Sequence, residues 1–131
     1  MGSKNRIFLG KLSKYFLHKV RFFQTSDLYI TDNKIKKIKS NDNRLNLVDY
    51  LNKEKFSILI DSVIFVSYDK EENIYNCLTR IDEKFVIFGI VSKNLRNEIT
   101  TLFYTNERQI KNKFLNKENL IELKKEEFTT N

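Results

Sequence analysis

Phe8, Leu12, Phe16 and Val20 recur at four-residue spacing, with Tyr15 beside them and Lys11, Lys14 and Lys19 on or next to the opposite side. Spacing close to the 3.6-residue period predicts an amphipathic helix. A basic amphipathic helix can lie on a membrane surface. Here the rest of the chain supplies a core for the stripe to cover, so packing is expected and no membrane partner. Asp27-Leu28-Tyr29-Ile30-Thr31 predicts a short strand. Thr31 or Asp32 then caps a second helix with Ile35 and Ile38 inward. Ser40-Asn41-Asp42-Asn43 reads as a loop. Leu45, Val48 and Leu51, then Phe56, Leu59 and Ile60, predict two short helices meeting near Asn52-Lys53.

From Val63 the pattern changes to that of strands. Val63-Ile64-Phe65-Val66, residues 74–81, residues 85–91 and residues 99–104 predict a meander, with turns at 69–73, 82–84 and 92–97. Residues 85–91 are continuously apolar, as in a central strand buried on both faces. Thr105 or Asn106 caps a last helix containing Ile110 and Phe114. The expected fold is therefore α+β: N-terminal helices packed on a C-terminal four- to five-stranded antiparallel sheet, ending in a helix. A length of 131 residues predicts a single domain, 1–131, with residues 117–131 a charged tail that is frayed or helical.

Composition adds two things. Cys77 is the only cysteine, and a secreted chain of this size usually carries several pairs, so a cytoplasmic location is expected. Residues 7–23 are interrupted by Lys11, Lys14, Lys19 and Arg21, so no signal or membrane segment is expected there. The second is charge. Residues 1–44 carry eleven Lys and Arg against Asp27, Asp32 and Asp42, whereas residues 45–131 carry thirteen bases against fourteen acids. Gene base composition can set how many lysines a chain has, but it does not gather them in one third. A local positive field points to an anionic partner: nucleic acid, an acidic protein or an anionic surface.

Candidate chemistry is narrowed by what is missing. Cys77 has no Cys or His at zinc spacing, and no Gly-rich phosphate loop, nucleophile elbow or dinucleotide fingerprint is present. No metal and no cofactor are expected. Glu71-Glu72 and Glu126-Glu127 read as solvated charge pairs, and His18, the only histidine, as a surface or boundary residue of a helix. The remaining signal is the basic segment. Lys34, Lys36, Lys37, Lys39 and Arg44 are placed to track phosphates, and Tyr29 or Tyr50 to stack on a base; a plain solvated face is the other reading.

Three blocks carry a resemblance. They are Ile7-Phe8-Leu9-Gly10-Lys11-Leu12-Ser13, followed by a helix; the strand-then-helix block from Asp27 through Ile38; and Ile99-Thr100-Thr101-Leu102-Phe103-Tyr104 before a Lys-rich helix. Over residues 7–115 the chain resembles small phage and mobile-element proteins of the barnase/EndoU/colicin/RelE-like nuclease superfamily. That resemblance implies a metal-independent ribonuclease fold. Many such proteins carry a histidine-isoleucine pair and a second histidine a turn later; here those positions hold Lys37, before Ile38, and a residue near Asp42. Lysine is normally protonated and aspartate normally ionised at neutral pH, so neither replaces a histidine as acid–base group.

RelE-like relatives use Lys, Arg and Tyr instead. By that analogy Lys37 and Arg80 clamp phosphate, while Thr101 or Tyr104 lines the sheet face. Solvated charge for the first two, and core or sheet surface for the last two, are the plain readings. Two functions follow. One is an RNA-directed nuclease or toxin, which requires Lys37, Arg80, Thr101 and Tyr104 to converge on one concave surface. The other is a catalytically silent phage or mobile-element protein that blocks a host nuclease or defence effector, as an anti-CRISPR protein does. Its partner is RNA, a nucleic-acid-containing host complex or a host protein, and the oligomeric state stays open.

Overall fold

The first element is a strand, not a helix. In the computed structural model, which describes residues 5–93 and 96–123 with the side chains of 42–45 and 93 left out, β1 spans Arg6–Lys11. Helix α1 is confined to Lys14–Lys19, because the Ser13 hydroxyl accepts from the Phe16 N–H at 3.0 Å and starts the helix there. Leu12, Phe16 and Val20 do point into the core, but Leu9 takes the inward place expected of Phe8. The four-residue spacing runs across two elements of different period. Gly10 sits at a register shift in β1 with φ +113°, which explains a glycine there although a Cβ would meet nothing closer than 3.8 Å.

Strand β2 (Asp27–Thr31) pairs antiparallel with β1 and leads directly into α2 (Asp32–Lys39). Ser40 and Asn41 form a shorter link than expected, and a nine-residue 3-10 segment, Asp42–Tyr50, replaces the rest of the loop and the first short helix. Asn52 caps α3 (Lys53–Asp61) by accepting from the Lys55 N–H at 2.9 Å. Then come β3 (Phe65–Asp69), β4 (Ile74–Ile81), β5 (Lys84–Lys93) and β6 (Arg96–Tyr104), the expected antiparallel meander. Its tight turns place Asn73 and Asp82 at positive φ, 58° and 55°, which Asn and Asp tolerate better than other side chains. Asn106 caps α4 (Glu107–Ile110), which continues as a π-helical turn, Lys111–Leu115. Within the expected tail, Ile121–Glu122 forms β7 on the edge of β3.

The sheet is thus seven-stranded and mixed among the described residues, in the order β1-β2-β6-β5-β4-β3-β7, rather than four- to five-stranded and antiparallel. The mixed character comes from one short parallel contact, Leu28 with Asn97 and Tyr29 with Glu98. Asn97 reinforces it. Its fully buried amide donates to the carbonyls of Thr25, at 2.7 Å, and Asp27, at 3.1 Å. No helix among the described residues is long and apolar enough to cross a membrane.

Strand alternation assigns the two faces. Cys77, Val86, Phe88, Ile90 and Leu102 join the larger core with residues of α1, α2 and α3, and the buried Thr79 alternates onto the same face. Phe56 of α3 meets Phe88 edge-on at 5.2 Å, and the Thr79 hydroxyl donates to Leu59 O at 3.1 Å. Leu78 and Ile87 point the other way, under Ile110 and Phe114 of the C-terminal helical segment. Ser67 ties that segment down by donating to Lys113 O at 2.6 Å. Val86, Ile87, Phe88 and Ile90 are all fully buried, so β5 is the two-sided central strand its sequence predicts.

Candidate functional site

Thr31 shapes the basic helix. Its hydroxyl accepts from the Lys34 N–H at 3.4 Å, Asp32 sits in the first turn, and Lys36, Lys37 and Lys39 sit in the last, each charge matched to its end of the helix dipole. Ile38 is buried and Ile35 packs on the same core, so the helix has a fixed inner side. Lys36, Lys37 and Lys39 are exposed, and Lys34 is half-buried. No described carboxylate stands within ion-pairing distance of these four lysines, whereas Arg6 pairs with Glu98 at 2.9 Å and Lys11 with Asp27 at 3.9 Å. The result is a ridge of lysines without carboxylate partners on an anchored backbone. Arg44 falls in the 3-10 segment, and its side chain lies outside the described residues.

The 3-10 segment packs against both α2 and β6, and with the β4–β5 turn it encloses an open cleft of about 880 Å³. Tyr50 and Tyr104 line it, together with Asp49, Asp82 and Glu83 and, against those three acids, Lys55 and Lys84. Lys84 Nζ lies 5.2 Å from the centre of the Tyr104 ring. Burial, and then the neighbouring Tyr50 and Asp82, push the Tyr104 phenol above its ordinary pKa. At neutral pH it is a hydrogen-bond donor and a poor base. The mixed sign of the cleft gives a phosphate no net attraction.

The residues expected to act together lie on different sides of the sheet. Lys37 belongs to a helix on the larger core's face, and Tyr104 packs against that same core. Arg80 alternates with the inward Thr79 and lies across the Phe85 ring at 5.5 Å, on the face of the smaller core. Thr101 is opposite Gly89 on that second face, where its hydroxyl limits the space above the glycine. The sheet therefore separates Lys37 and Tyr104 from Arg80 and Thr101, and neither Lys37, Arg80 nor Thr101 lines the cleft. Of the two candidate stacking residues, Tyr50 lines the cleft with Tyr104, away from the lysines of α2, whereas Tyr29 contacts Phe8 at 5.5 Å on the other face.

His18 is exposed on α1 and takes no part in the cleft. Cys77 is fully buried, and burial pushes its thiol far above the usual range, so it is a core residue. The meeting of Tyr50 with Tyr104 and the β4–β5 turn had no local signal, because it depends on how the 3-10 segment docks. A second feature is legible in part: the chain has no acid before Asp27, and the aromatic Tyr15 and Phe22 are interspersed with Lys14, Lys19 and Arg21. Compared with protein-family models, curated proteins and solved structures, the chain matches none.

Proposed function

We propose that this protein holds RNA by its phosphates on the lysine ridge of α2 and does not cleave it. The observation that carries this reading is the exposure of Lys36, Lys37 and Lys39 without a carboxylate partner, while the groups needed for cleavage stand on opposite sides of the sheet. Cleavage through the 2′-hydroxyl needs a base, an acid and a phosphate clamp within reach of one phosphodiester. Lys37 and Arg80 cannot clamp one phosphate through the sheet, and Tyr104 keeps its proton. The resemblance to the barnase/EndoU/colicin/RelE-like nucleases is compatible with this, because Lys37 stands where those proteins carry histidine. Binding without turnover is also what a phage or mobile-element inhibitor of a host nuclease requires.

Fluorescence anisotropy with a labelled RNA at several salt concentrations tests the proposal. Replacing Lys36, Lys37 and Lys39 together by alanine should weaken binding uniformly across RNA sequences. It should also flatten the salt dependence by about 2 in log–log slope, roughly 0.7 for each lost phosphate contact on a single strand. Total RNA incubated with the protein in EDTA should stay intact. Cleavage that disappears in the Lys37→Ala/Arg80→Ala double variant would replace binding by catalysis as the reading.

A further inference from the structure

Helix α1 and the turn that follows it present a second surface that the lysine ridge does not include. Phe22 is 49 % exposed, and its ring lies 4.6 Å from Tyr75, which in turn lies 4.8 Å from Tyr68. The buried Phe23 supports this stack from below, 5.1 Å from Tyr75 and edge-on to Phe22 at 5.5 Å. Phe22 is therefore a ring held in place from two sides with about half of its surface in water. Nearby in sequence, Tyr15 is 51 % exposed, pinned through its hydroxyl to Leu123 O at 2.6 Å, with Lys19 Nζ 5.7 Å from its ring centre.

The charges around these rings identify the ligand class. Lys14, Lys19 and Arg21 are exposed, and none has a described carboxylate within ion-pairing distance. Cations interrupt the exposed rings along the chain, so the stretch is no continuous apolar strip of the kind an apolar protein partner buries. Ring faces beside cations match the two parts of a nucleotide, a flat base and an anionic phosphate. Bases inside a duplex are already stacked on both sides and cannot use such a ring.

We infer that Phe22, backed by Tyr75, is a stacking platform for an unpaired base of a single-stranded nucleic acid whose phosphates are met by Lys19 and Arg21. This rests on the proposal that the protein binds RNA, and it adds that the bound RNA is unpaired. Base stacking on an aromatic ring typically makes about a tenfold difference or more in affinity when the ring is removed.

The test compares binding of an oligouridine of about a dozen nucleotides and of a fully paired duplex. The proteins are wild type, Phe22→Ala, Phe22→Leu, Phe22→Trp and the α2 triple-alanine variant. Phe22→Ala and Phe22→Leu should each lose about tenfold on the oligouridine and nothing on the duplex, and Phe22→Trp should bind as wild type. The half-exposed position lets these variants fold, and unchanged thermal midpoints verify it. Unaltered oligouridine binding by Phe22→Ala overturns the inference. So does retention by Phe22→Leu, the mark of a merely apolar anchor for a protein, or an equal loss on the duplex. If Phe22 is silent while the α2 variant weakens both RNAs, the platform falls and the phosphate ridge stands. If Phe22 matters while the α2 variant binds normally, the reverse holds. No binding of either RNA by wild type overturns both.

Discussion

Asn97→Asp isolates the joint between the N-terminal strands and the meander. Only the amino end of the Asn97 side chain can face two carbonyls, and it reaches Thr25 O at 2.7 Å and Asp27 O at 3.1 Å in a fully buried position. Its oxygen has no described hydrogen-bond partner, so no donor is waiting to receive a carboxylate. The substitution keeps the shape and removes both donors. Protonated, the new carboxyl can restore one of the two bonds, and the loss is about 1 kcal/mol. Ionised, it places a charge against two carbonyl oxygens in a dry site, and the loss rises to about 3–5 kcal/mol.

Burial beside two carbonyls holds the native carboxyl above the ordinary aspartate pKa of about 3.9. The native state then keeps a proton that the unfolded chain has already released. Stability of the variant should therefore fall, relative to wild type, as pH climbs from about 4, and level off once the native carboxyl ionises. Urea unfolding followed by far-UV circular dichroism, at about pH 4 and about pH 7, measures both ends. A deficit that does not change with pH, or one below about 1 kcal/mol at neutral pH, would refute the role given to Asn97.

Gly89→Ala should destabilise the protein by about 1–3 kcal/mol, since a Cβ there meets Ile74 Cγ2, Thr100 Oγ1 and Thr101 Oγ1, each at 2.9 Å. Adding Thr101→Ala should recover part of that loss in a denaturation cycle, which would mark Thr101 as a spacer. Cys77 should resist a thiol reagent at mildly alkaline pH in the folded protein and react at once in denaturant, because burial suppresses its thiolate. Tyr75, raised by burial and then by Tyr68, and Tyr104 keep their protons above the ordinary pKa of about 10. Unfolded tyrosines ionise first, so stability should fall as pH passes that value; Tyr75→Phe and Tyr104→Phe should each flatten the fall in an alkaline unfolding series.

Much of the fold can be read locally. Thr31 before Ile35 and Ile38, Asn106 before Ile110 and Phe114, and the unbroken apolar run of β5 each carry their signal within one element. Where one element meets another, local pattern fails. The Phe8-to-Val20 spacing looks helical, yet Ser13 begins a helix only after a strand, and the spacing fits both by accident. Strand β7 exists because β3 offers an open edge, with the Leu123 N–H donating to Ile64 O at 2.7 Å.

The candidate sites follow the same division. That Lys36 and Lys37 face solvent follows from helical period and the positions of Ile35 and Ile38 alone, whereas Lys39, four residues after Ile35, is exposed where the helix ends. That Arg80 and Thr79 point opposite ways follows from strand alternation. Which side of the sheet α2 covers, and hence whether Lys37 and Arg80 can touch one phosphate, is set by helix docking and by the short parallel contact of β2 with β6. Such contacts join residues far apart in the chain, and their energy comes from burial and hydrogen bonding that no short window contains.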